Sequence, residues 1–197
     1  PGLINKEPET SFGATGSRLI SGNSILAEET EQAIARFHHA EAALIFNSGY
    51  MANAGLFSSI ADKHTVFIYD EFIHASIHDG MRLSFGKRLK FKHNDIADLK
   101  DKLNSANAEK IIVIIETLYS MDGDIAPLIE MGDLCKKYQA VLIVDEAHAT
   151  GLFGKNGEGL VAAMNAEDLV WASVHTFVKA LGLHGAAVFG SNRLRNY

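Results

Sequence analysis

The chain has 197 residues, 47% of them hydrophobic, which is enough for one well-filled globular domain. Lys and Arg total 18 against 24 Asp and Glu, so the net charge of -6 does not favour binding to nucleic acids or anionic membranes. The single cysteine, Cys135, excludes an internal disulfide and a multi-cysteine zinc site, and no apolar run reaches membrane-spanning length. We therefore expect a cytoplasmic protein without a nucleic-acid or membrane partner.

Apolar residues recur with helical spacing in residues 27–39, which predicts a core-facing side made of Ala27, Thr30, Ala33, Ile34 and Phe37. The elements predicted after this helix are strands at 42–46, 65–69, 88–91, 111–116, 141–144, 169–173 and 186–189, and helices at 50–60 and 128–138. Residues 111–115 are apolar without alternation, as in a strand that is covered on both faces. The pattern predicts an α/β three-layer sandwich with a mostly parallel sheet.

The two ends of the sequence are typical of a fragment. The chain does not begin with Met, its first ten residues are polar rather than signal-like, and it stops at Tyr197 directly after a strand-like run. We expect residues 1–197 to be a single large domain of a longer protein.

Polar segments that follow predicted strands are the first candidates for a functional site, because ligands of such sheets bind outside the carboxyl ends of the strands. Asp145 follows the strand at 141–144, where an ionised carboxylate needs a cationic partner. A protonated pyridine nitrogen would be such a partner, and His148 could then reach the phenolic oxygen of the same ring. The alternatives are an aspartate that caps the next turn and a structural histidine.

The tetrapeptide Asp145-Glu-Ala-His148 also occurs in nucleic-acid-dependent helicase ATPases. That chemistry needs an upstream Gly-rich loop that ends in Gly-Lys followed by Ser or Thr. Gly86-Lys87 and Gly154-Lys155 are followed by Arg and Asn, so the context does not support this reading. No His-Glu-x-x-His or paired-cysteine motif accompanies the nine histidines, and the sequence therefore predicts no metal site.

Four further segments carry candidate groups. The backbone amides of Gly49 and Tyr50 could bind an anion at a helix start, although Gly49 could equally just shape the turn. His74 could stack on an aromatic ring or be an ordinary exposed histidine. Ser120, in the acidic segment 116–124, could reach a cofactor, while a solvated loop and a glycosidase acid pair are the alternatives.

Lys179 lies in an apolar, glycine-flanked segment, where desolvation would favour an amine nucleophile toward an aldehyde. A surface lysine with a snorkelling stem is the alternative. Thr176, three residues earlier, could contact a phosphate.

In chain order these segments resemble the motifs of the α-oxoamine synthases, a fold-type I family that depends on pyridoxal 5'-phosphate. The resemblance extends from about residue 11 to Ser191 and rests on the segments 16–22, 47–50, 74–76, 120–124, 145–151 and 176–182. It implies the large domain of fold-type I transferases, and a homodimer with the site at its interface. It also implies that an N-terminal arm and a C-terminal domain of the family are absent from this chain.

The resemblance implies a role for each candidate. Lys179 would bind the cofactor as a Schiff base and later remove the α-proton of the amino-acid substrate, while Asp145 would pair with the pyridine nitrogen and His148 with the phenolic oxygen. His74 would stack on the ring, with Ser120 near the same face. The phosphate would be held by three further residues: Gly49, Tyr50 and Thr176.

The implied reaction condenses an amino acid with an acyl-coenzyme A or acyl-carrier thioester, in most members with loss of carbon dioxide. The stretch 175–187 is most similar to members that use alanine and a pimeloyl thioester in biotin synthesis. Members that use glycine or serine are rivals, and a non-catalytic remnant is a further alternative. Three positions depart from the family pattern: Val178 replaces Ser or Gly, Glu146 replaces a frequent Asp, and Ile73 replaces a frequent Asn.

Overall fold

The computed structural model describes residues 13, 14 and 16–197, so the polar start of the chain lies outside the described residues. The helices are α1 Ile25–Phe37, α2 Gly49–Ser59, α3 Ala75–Arg82, α4 Ile96–Ser105, α5 Leu128–Lys137, α6 Leu160–Ala163 and α7 Asn192–Arg195. The strands are β1 Ala42–Phe46, β2 Thr65–Asp70, β3 Lys87–Phe91, β4 Lys110–Glu116, β5 Val141–Asp145, β6 Ala172–Thr176 and β7 Ala186–Gly190.

Within the described residues the strands form one seven-stranded sheet in the order β1-β7-β6-β5-β4-β2-β3. Strand β7 is antiparallel to β1 and β6, and the pairs β2–β3, β2–β4, β4–β5 and β5–β6 are parallel. The predicted mostly parallel sheet is therefore confirmed. The carboxyl ends of β2, β4, β5 and β6 lie at the same edge of the sheet. The order of the strands changes direction after β3, because β3 lies on one side of β2 and β4 lies on the other.

The core lies on both faces of the sheet, as the unalternating apolar run in β4 predicted. Ile112 and Ile114 pack on the side of α2 and α3, while Val113 and Ile115 pack on the side of α4 and α5. All four side chains are fully buried. Helices on both faces make the three-layer sandwich that the sequence predicted.

The predicted buried face of α1 is only partly correct. Ile34 packs against the core and Ala27 is half-buried, as predicted. Thr30, Ala33 and Phe37 are exposed, and the fully buried residues of this helix are Glu31 and Ala35. Glu31 is tolerated in this position because its carboxylate accepts hydrogen bonds from the Ile45 amide at 2.9 Å and from the guanidinium groups of Arg18 and Arg195. A buried ion pair thus decides which side of the helix faces the sheet.

The predicted strand at 169–173 is wrong by three residues. Pairing with β5 begins after Trp171, whose amide donates to the Leu142 carbonyl, and β6 continues to Thr176. Residues Glu167–Leu169 form a short 3₁₀ turn instead, and Leu169 packs over Gly132 of α5. Apolar character alone could not separate packing on a helix from pairing in the sheet. Helices α3 and α4, with α6 and α7, were also not predicted.

Replacing Glu31 with Gln is expected to destabilise the protein by about 2 kcal/mol at pH 7, since two guanidinium groups lose their buried anion. Burial alone would raise the pKa of Glu31, but the hydrogen bonds from Arg18, Ile45 and Arg195 outweigh it and lower that pKa. The contribution is therefore full above the unfolded carboxyl pKa of about 4.3 and is lost as the pH falls through the lower folded value.

Urea unfolding at pH 7 and at pH 3 measures this difference, with Glu29→Gln, an exposed position on the same helix, as the control. The gap between the protein and Glu31→Gln should be clear at pH 7 and shrink at pH 3. A gap of equal size at both values would contradict the assigned charge.

Candidate active site at the carboxyl edge of the sheet

Asp145 ends β5 and is 6% exposed. Its Oδ1 accepts a hydrogen bond from the Ala147 amide and its Oδ2 accepts one from Asn53 Nδ2, both at 2.8 Å. The first contact is the turn-capping interaction that the sequence left open as an alternative. The second fixes the carboxylate from the facing helix α2, so the group is held at the strand end by two donors.

Asn53 is a site residue that sequence reasoning missed. It is a buried residue of α2, and its Nδ2 also lies 3.0 Å from Ser76 Oγ, while its Oδ1 is enclosed and accepts no hydrogen bond from any described residue. The available signal was an asparagine within the apolar helix that follows Gly49. Its partner Asp145 is 92 positions away, a separation that local patterns cannot bridge.

His74 is the N-cap residue of α3, and its ring is exposed at the same edge of the sheet. Its Nδ1 accepts a hydrogen bond from the Ser76 amide at 3.2 Å and lies 2.8 Å from Ser76 Oγ. Because Ser76 also contacts Asn53, the imidazole and the Asp145 carboxylate are joined through one chain of buried polar groups.

Glu116 is a second residue to which the sequence gave no separate role. It ends β4, is 4% exposed and is the register partner of Asp145 on β5. Burial raises the pKa of Glu116 to about 8, helped by the Asp145 charge and opposed by the His74 amide and Lys179. Glu116 thus favours its protonated form at neutral pH.

Lys179 lies in the connection between β6 and β7, where the Gly182 amide donates to the Lys179 carbonyl and Gly182 adopts a φ of 62°. The sequence predicted a desolvated lysine, whereas the side chain is exposed and so is its neighbour Val178. That expectation is wrong for the described residues: the apolar neighbours do not fold over the amine, and they leave it facing the open edge.

His148 lies on the turn after β5 and is partly buried. Burial lowers its pKa, and Lys179 and His74 act in the same direction while Asp145 opposes them. His148 is therefore neutral at pH 7 and has one ring nitrogen free to accept a proton. Lys179, Asp145 and His74 all act on the pKa of His148, and the catalytic roles expected for these four residues stay predictions.

The start of α2 is a candidate anion site. The Ser48 side chain caps the Met51 amide, and the Ser48 carbonyl accepts from Ala52, so the amides of Gly49 and Tyr50 are the first-turn donors that a helix leaves without an internal partner. The Tyr50 hydroxyl instead donates to Asp79 at 2.7 Å. The contribution of Tyr50 to an anion site is thus its backbone amide.

Thr176 closes this anion site from β6. Its Oγ1 donates to the Ala147 carbonyl at 3.3 Å, which ties it to the turn that holds Asp145. A Cβ atom added to Gly49 would lie 2.4 Å from Thr176 Cγ2. Only glycine fits at this position without displacing the threonine.

The variant Gly49→Ala is expected to weaken anion binding at this site roughly tenfold and to destabilise the fold by about 1–3 kcal/mol, because the new methyl group overlaps Thr176. Thr176→Ser removes the Cγ2 methyl group that the added alanine Cβ would overlap, and it keeps the hydroxyl group. The double variant should therefore recover most of the loss, measured by inorganic phosphate titration and urea unfolding. Additive losses in the double variant would show that the contact is not the cause.

Ser120 is exposed on a loop whose ends are joined by a bridge between Leu118 and Ile125. Gly123, with a φ of 73°, allows the tight turn of this loop. The described contacts do not bring Ser120 to the other candidates, and its approach to a cofactor stays a prediction.

Glu146, the departure from the family pattern next to Asp145, has a structural role that the sequence did not reveal. Its buried carboxyl accepts hydrogen bonds from Thr117 Oγ1 at 2.8 Å and from the Leu160 amide at 2.9 Å, and it also contacts the Val161 amide. Burial raises the pKa of Glu146 to about 7, and these donors oppose that rise. The residue fastens the start of α6 beneath the site.

The arrangement suits a flat, anionic cofactor with a cationic ring nitrogen. The carboxylate of Asp145 would receive the nitrogen, the ring of His74 a ring face, and the start of α2 an anionic group. Within residues 13, 14 and 16–197 no cluster of three or more His, Cys, Asp or Glu side chains could hold a metal ion. In the same part of the chain, no helix combines the length and apolar character required to cross a bilayer.

Known proteins with similar sequences and folds were identified by comparison. The whole chain, residues 1–197, matches the family described as aminotransferase class I and II. It is 45% identical to an 8-amino-7-oxononanoate synthase of Emericella nidulans over 99% of this chain and 51% of that protein. The chain spans about half the length of the curated relatives it matches.

Two solved structures are similar in fold. A serine palmitoyltransferase from Sphingomonas wittichii has a TM-score of 0.90 and 38% identity, covering 96% of this chain and 48% of that one. A serine palmitoyltransferase K265A variant from S. paucimobilis, with a bound PLP-myriocin aldimine, has a TM-score of 0.88 and 38% identity, covering 97% and 48%. These relatives are α-oxoamine synthases, as the motif resemblance predicted.

Proposed function

Because this chain belongs to the aminotransferase class I and II family, we propose that it binds pyridoxal 5'-phosphate and joins an amino acid to an acyl thioester. The observation that supports the proposal is that Asp145 and His148, at the end of β5 and on the turn after it, and Lys179, in the connection between β6 and β7, come to the same edge of the sheet, where Lys179 lowers the pKa of His148. Curated relatives that are 45% and 40% identical to this chain are named 8-amino-7-oxononanoate synthases, so alanine and a pimeloyl thioester are the proposed substrates.

The described residues fit the cofactor. The Asp145 carboxylate, fixed by Asn53, would face the pyridine nitrogen, and the exposed imidazole of His74 would cover one ring face. The phosphate would bind at the free amides of Gly49 and Tyr50, with Thr176 beside them. The exposed Lys179 amine is free to react with the aldehyde, His148 would meet the phenolic oxygen, and Ser120 would lie near the ring.

When bound, this cofactor supplies an electron sink that stabilises negative charge on the substrate α-carbon. Lys179 would act as the general base that takes the α-proton of the amino-acid substrate. Asp145 would hold the ring nitrogen of the cofactor and favour its cationic form, since a buried carboxylate favours a cationic partner. His148, neutral at pH 7, can exchange a hydrogen bond with the phenolic oxygen.

The overall reaction forms a bond between the amino-acid α-carbon and the acyl carbonyl carbon. The thioester carbon–sulfur bond breaks and releases coenzyme A or a carrier thiol, and the α-carboxylate leaves as carbon dioxide. Glu116, protonated at neutral pH beside Lys179, is a source of a proton at the same edge.

We further propose a cytoplasmic homodimer with the site at its interface. Apolar side chains are exposed around the lysine connection, among them Val178, Leu181 and Leu183, and Leu152 projects from the neighbouring turn. Such a patch next to a reactive amine is typical of a surface that another subunit covers.

Glycine C-acetyltransferase, serine palmitoyltransferase and aminolevulinate synthase are the rival readings within the family. The names of the curated relatives, which include 8-amino-7-oxononanoate synthases at 45% and 40% identity, favour alanine as the amino acid. Identity to the solved structures does not separate the two readings, since it is 38% for a serine palmitoyltransferase and 28% for an 8-amino-7-oxononanoate synthase. A non-catalytic, cofactor-binding protein is the remaining alternative, and the bulky Val178 beside the lysine is the feature that motivates it.

The test uses the protein in the longest form that its coding sequence specifies, loaded with pyridoxal phosphate. Release of thiol and carbon dioxide is measured with alanine and pimeloyl-coenzyme A, glycine and acetyl-coenzyme A, and serine and palmitoyl-coenzyme A. We expect the highest kcat/KM with the first pair. Higher values with another pair would reassign the substrates, and cofactor binding without thiol release from any pair would favour the non-catalytic alternative.

A further inference from the structure

His93 lies in the connection between β3 and α4 and bridges two carboxylates from two other connections. Its Nδ1 is 2.9 Å from Asp70 Oδ1 at the end of β2, and its Nε2 is 2.7 Å from Asp124 Oδ2 in the loop after β4. None of the roles assigned above includes this histidine. The two segments that it joins carry His74 and Ser120.

The geometry fixes the charge of the ring. Neutral imidazole has a single N–H, whereas both nitrogens of His93 face carboxylate oxygens at hydrogen-bond distance. Asp70 is fully buried and accepts hydrogen bonds from the amides of Phe72 and Asn94, both at 2.9 Å. The Asn94 side-chain nitrogen also lies 3.2 Å from His93 Nε2. The doubly protonated ring is the form of His93 that can donate to both carboxylates at once.

The surroundings of the ring hold it in this orientation. Phe72 stacks on one face with 4.4 Å between ring centroids, and Tyr119 meets the ring edge-on at 4.5 Å. The side-chain amide of Asn94 also donates to Asp124. Other ionisable groups also lie near the ring. Glu71 accepts a hydrogen bond from the His93 amide and pairs with Lys90, and Tyr119 and Glu116 interact with Asp70. Lys92 and Asp98 lie on the flanking turn.

The balance of these groups favours protonation. Burial acts against the charge and is the largest single influence, but the hydrogen bonds and charges of Asp70 and Asp124 outweigh it and raise the pKa of His93. The stabilisation is therefore full below the ordinary histidine pKa of about 6.5 and is lost as the pH rises through the higher folded value.

The loop that carries Ser120 is held by this contact and by the buried side chain of Tyr119 at its start. Residues Ser120, Met121, Asp122 and Gly123 are exposed, and the hydrogen bonds within the loop, from Tyr119 to Asp124 and from Gly123 to Tyr119, are its own backbone closing on itself. The side chain of Asp124 contacts His93 and Asn94, and His93 in turn contacts Asp70 at the end of β2. These contacts link the loop to the start of the segment after β2.

We propose that His93 is a positioning residue: as an imidazolium it fastens the loop that bears Ser120 to the segment that bears His74, and so sets the distance between two sides of the cofactor site. The part that concerns the cofactor rests on the proposed function, while the fastening of the loop does not depend on it.

The charge and the fastening are tested without cofactor in His93→Gln and Asp124→Asn. Imidazole ¹⁵N NMR should show His93 doubly protonated at pH 7, where an ordinary histidine is about three-quarters neutral. In both variants amide hydrogen exchange should accelerate about tenfold in residues 119–124 and stay unchanged in β4. His64→Gln, which disturbs an exposed His–Glu pair at the opposite end of β2, is the matched control and should leave residues 119–124 unaffected.

The cofactor part is tested by titrating pyridoxal phosphate across pH 6 to 9. His93→Gln should bind pyridoxal phosphate roughly tenfold more weakly at pH 7. In the parent protein the affinity should fall as His93 loses its proton, and this pH-dependent fall should be missing from the variant. The double variant His93→Gln/Asp124→Asn should lose no more affinity for pyridoxal phosphate than either single variant. Neutral His93 at pH 7, unchanged exchange in the loop, or a pH-dependent fall that persists in His93→Gln would overturn the inference. A parent protein that fastens the loop but binds no cofactor would instead contradict the proposed function.

Discussion

Replacing Lys179 with alanine is expected to lower product formation by at least ~10³-fold and to abolish the visible Schiff-base absorption of bound pyridoxal phosphate. The exposed amine is the proposed nucleophile, and its charge acts on Glu116 and His148 at the edge of the sheet. One substitution removes both the covalent attachment and the base that takes the α-proton, so the two losses should appear together.

Lys155→Ala is the matched control, since Lys155 is an exposed lysine on the loop that follows β5. It should retain the absorption band and the turnover. A Lys179→Ala protein that keeps either the band or a rate within tenfold of the parent would assign the attachment to another lysine.

The variant Asp145→Asn is expected to reduce turnover by about 10²- to 10³-fold while the cofactor stays attached to Lys179. The substitution keeps the shape of the side chain but removes the charge that would hold a proton on the ring nitrogen. It also leaves an amide group facing the donors Asn53 and Ala147, which should cost about 1–3 kcal/mol of stability. Turnover, the absorption spectrum and urea unfolding separate these effects.

Asp145→Asn should also change the pKa of the neighbouring Glu116 carboxyl group. The Asp145 charge helps to raise the pKa of Glu116, so that pKa should fall when Asp145 is neutral, and carbonyl infrared spectroscopy of Glu116 would report the change. Asp133→Asn, an exposed change on α5, serves as the control and should alter neither rate nor spectrum. Full turnover in Asp145→Asn would contradict the assigned pairing with the ring nitrogen.

The strand ends were the predictable part of this protein. Strand β1 was predicted with its observed bounds, and β2, β4 and β5 within one residue at either end, because each is a short apolar run bounded by polar residues. The carboxyl end of β5 carries Asp145, as predicted, while the roles of Asp145 and His148 in a site stay predictions. The motif order added the family, which the comparison confirmed.

Tertiary contacts account for most of what the sequence did not disclose. Glu31 interrupts the apolar spacing of α1, and only its pairing with Arg18 and Arg195 makes it a core residue. Asn53 and Glu116 acquire their roles from Asp145 on another strand, and His93 from two carboxylates 23 and 31 positions away. Burial of a polar residue is decided by partners that no local pattern identifies.

The most direct test of the central claim is borohydride reduction of the cofactor-loaded protein, followed by peptide mass mapping. We expect one phosphopyridoxyl group, attached to Lys179 in the peptide that contains Thr176 and Gly182. A label on a different lysine, or no label in a protein that otherwise folds, would contradict the assignment of this edge of the sheet as a pyridoxal-phosphate site.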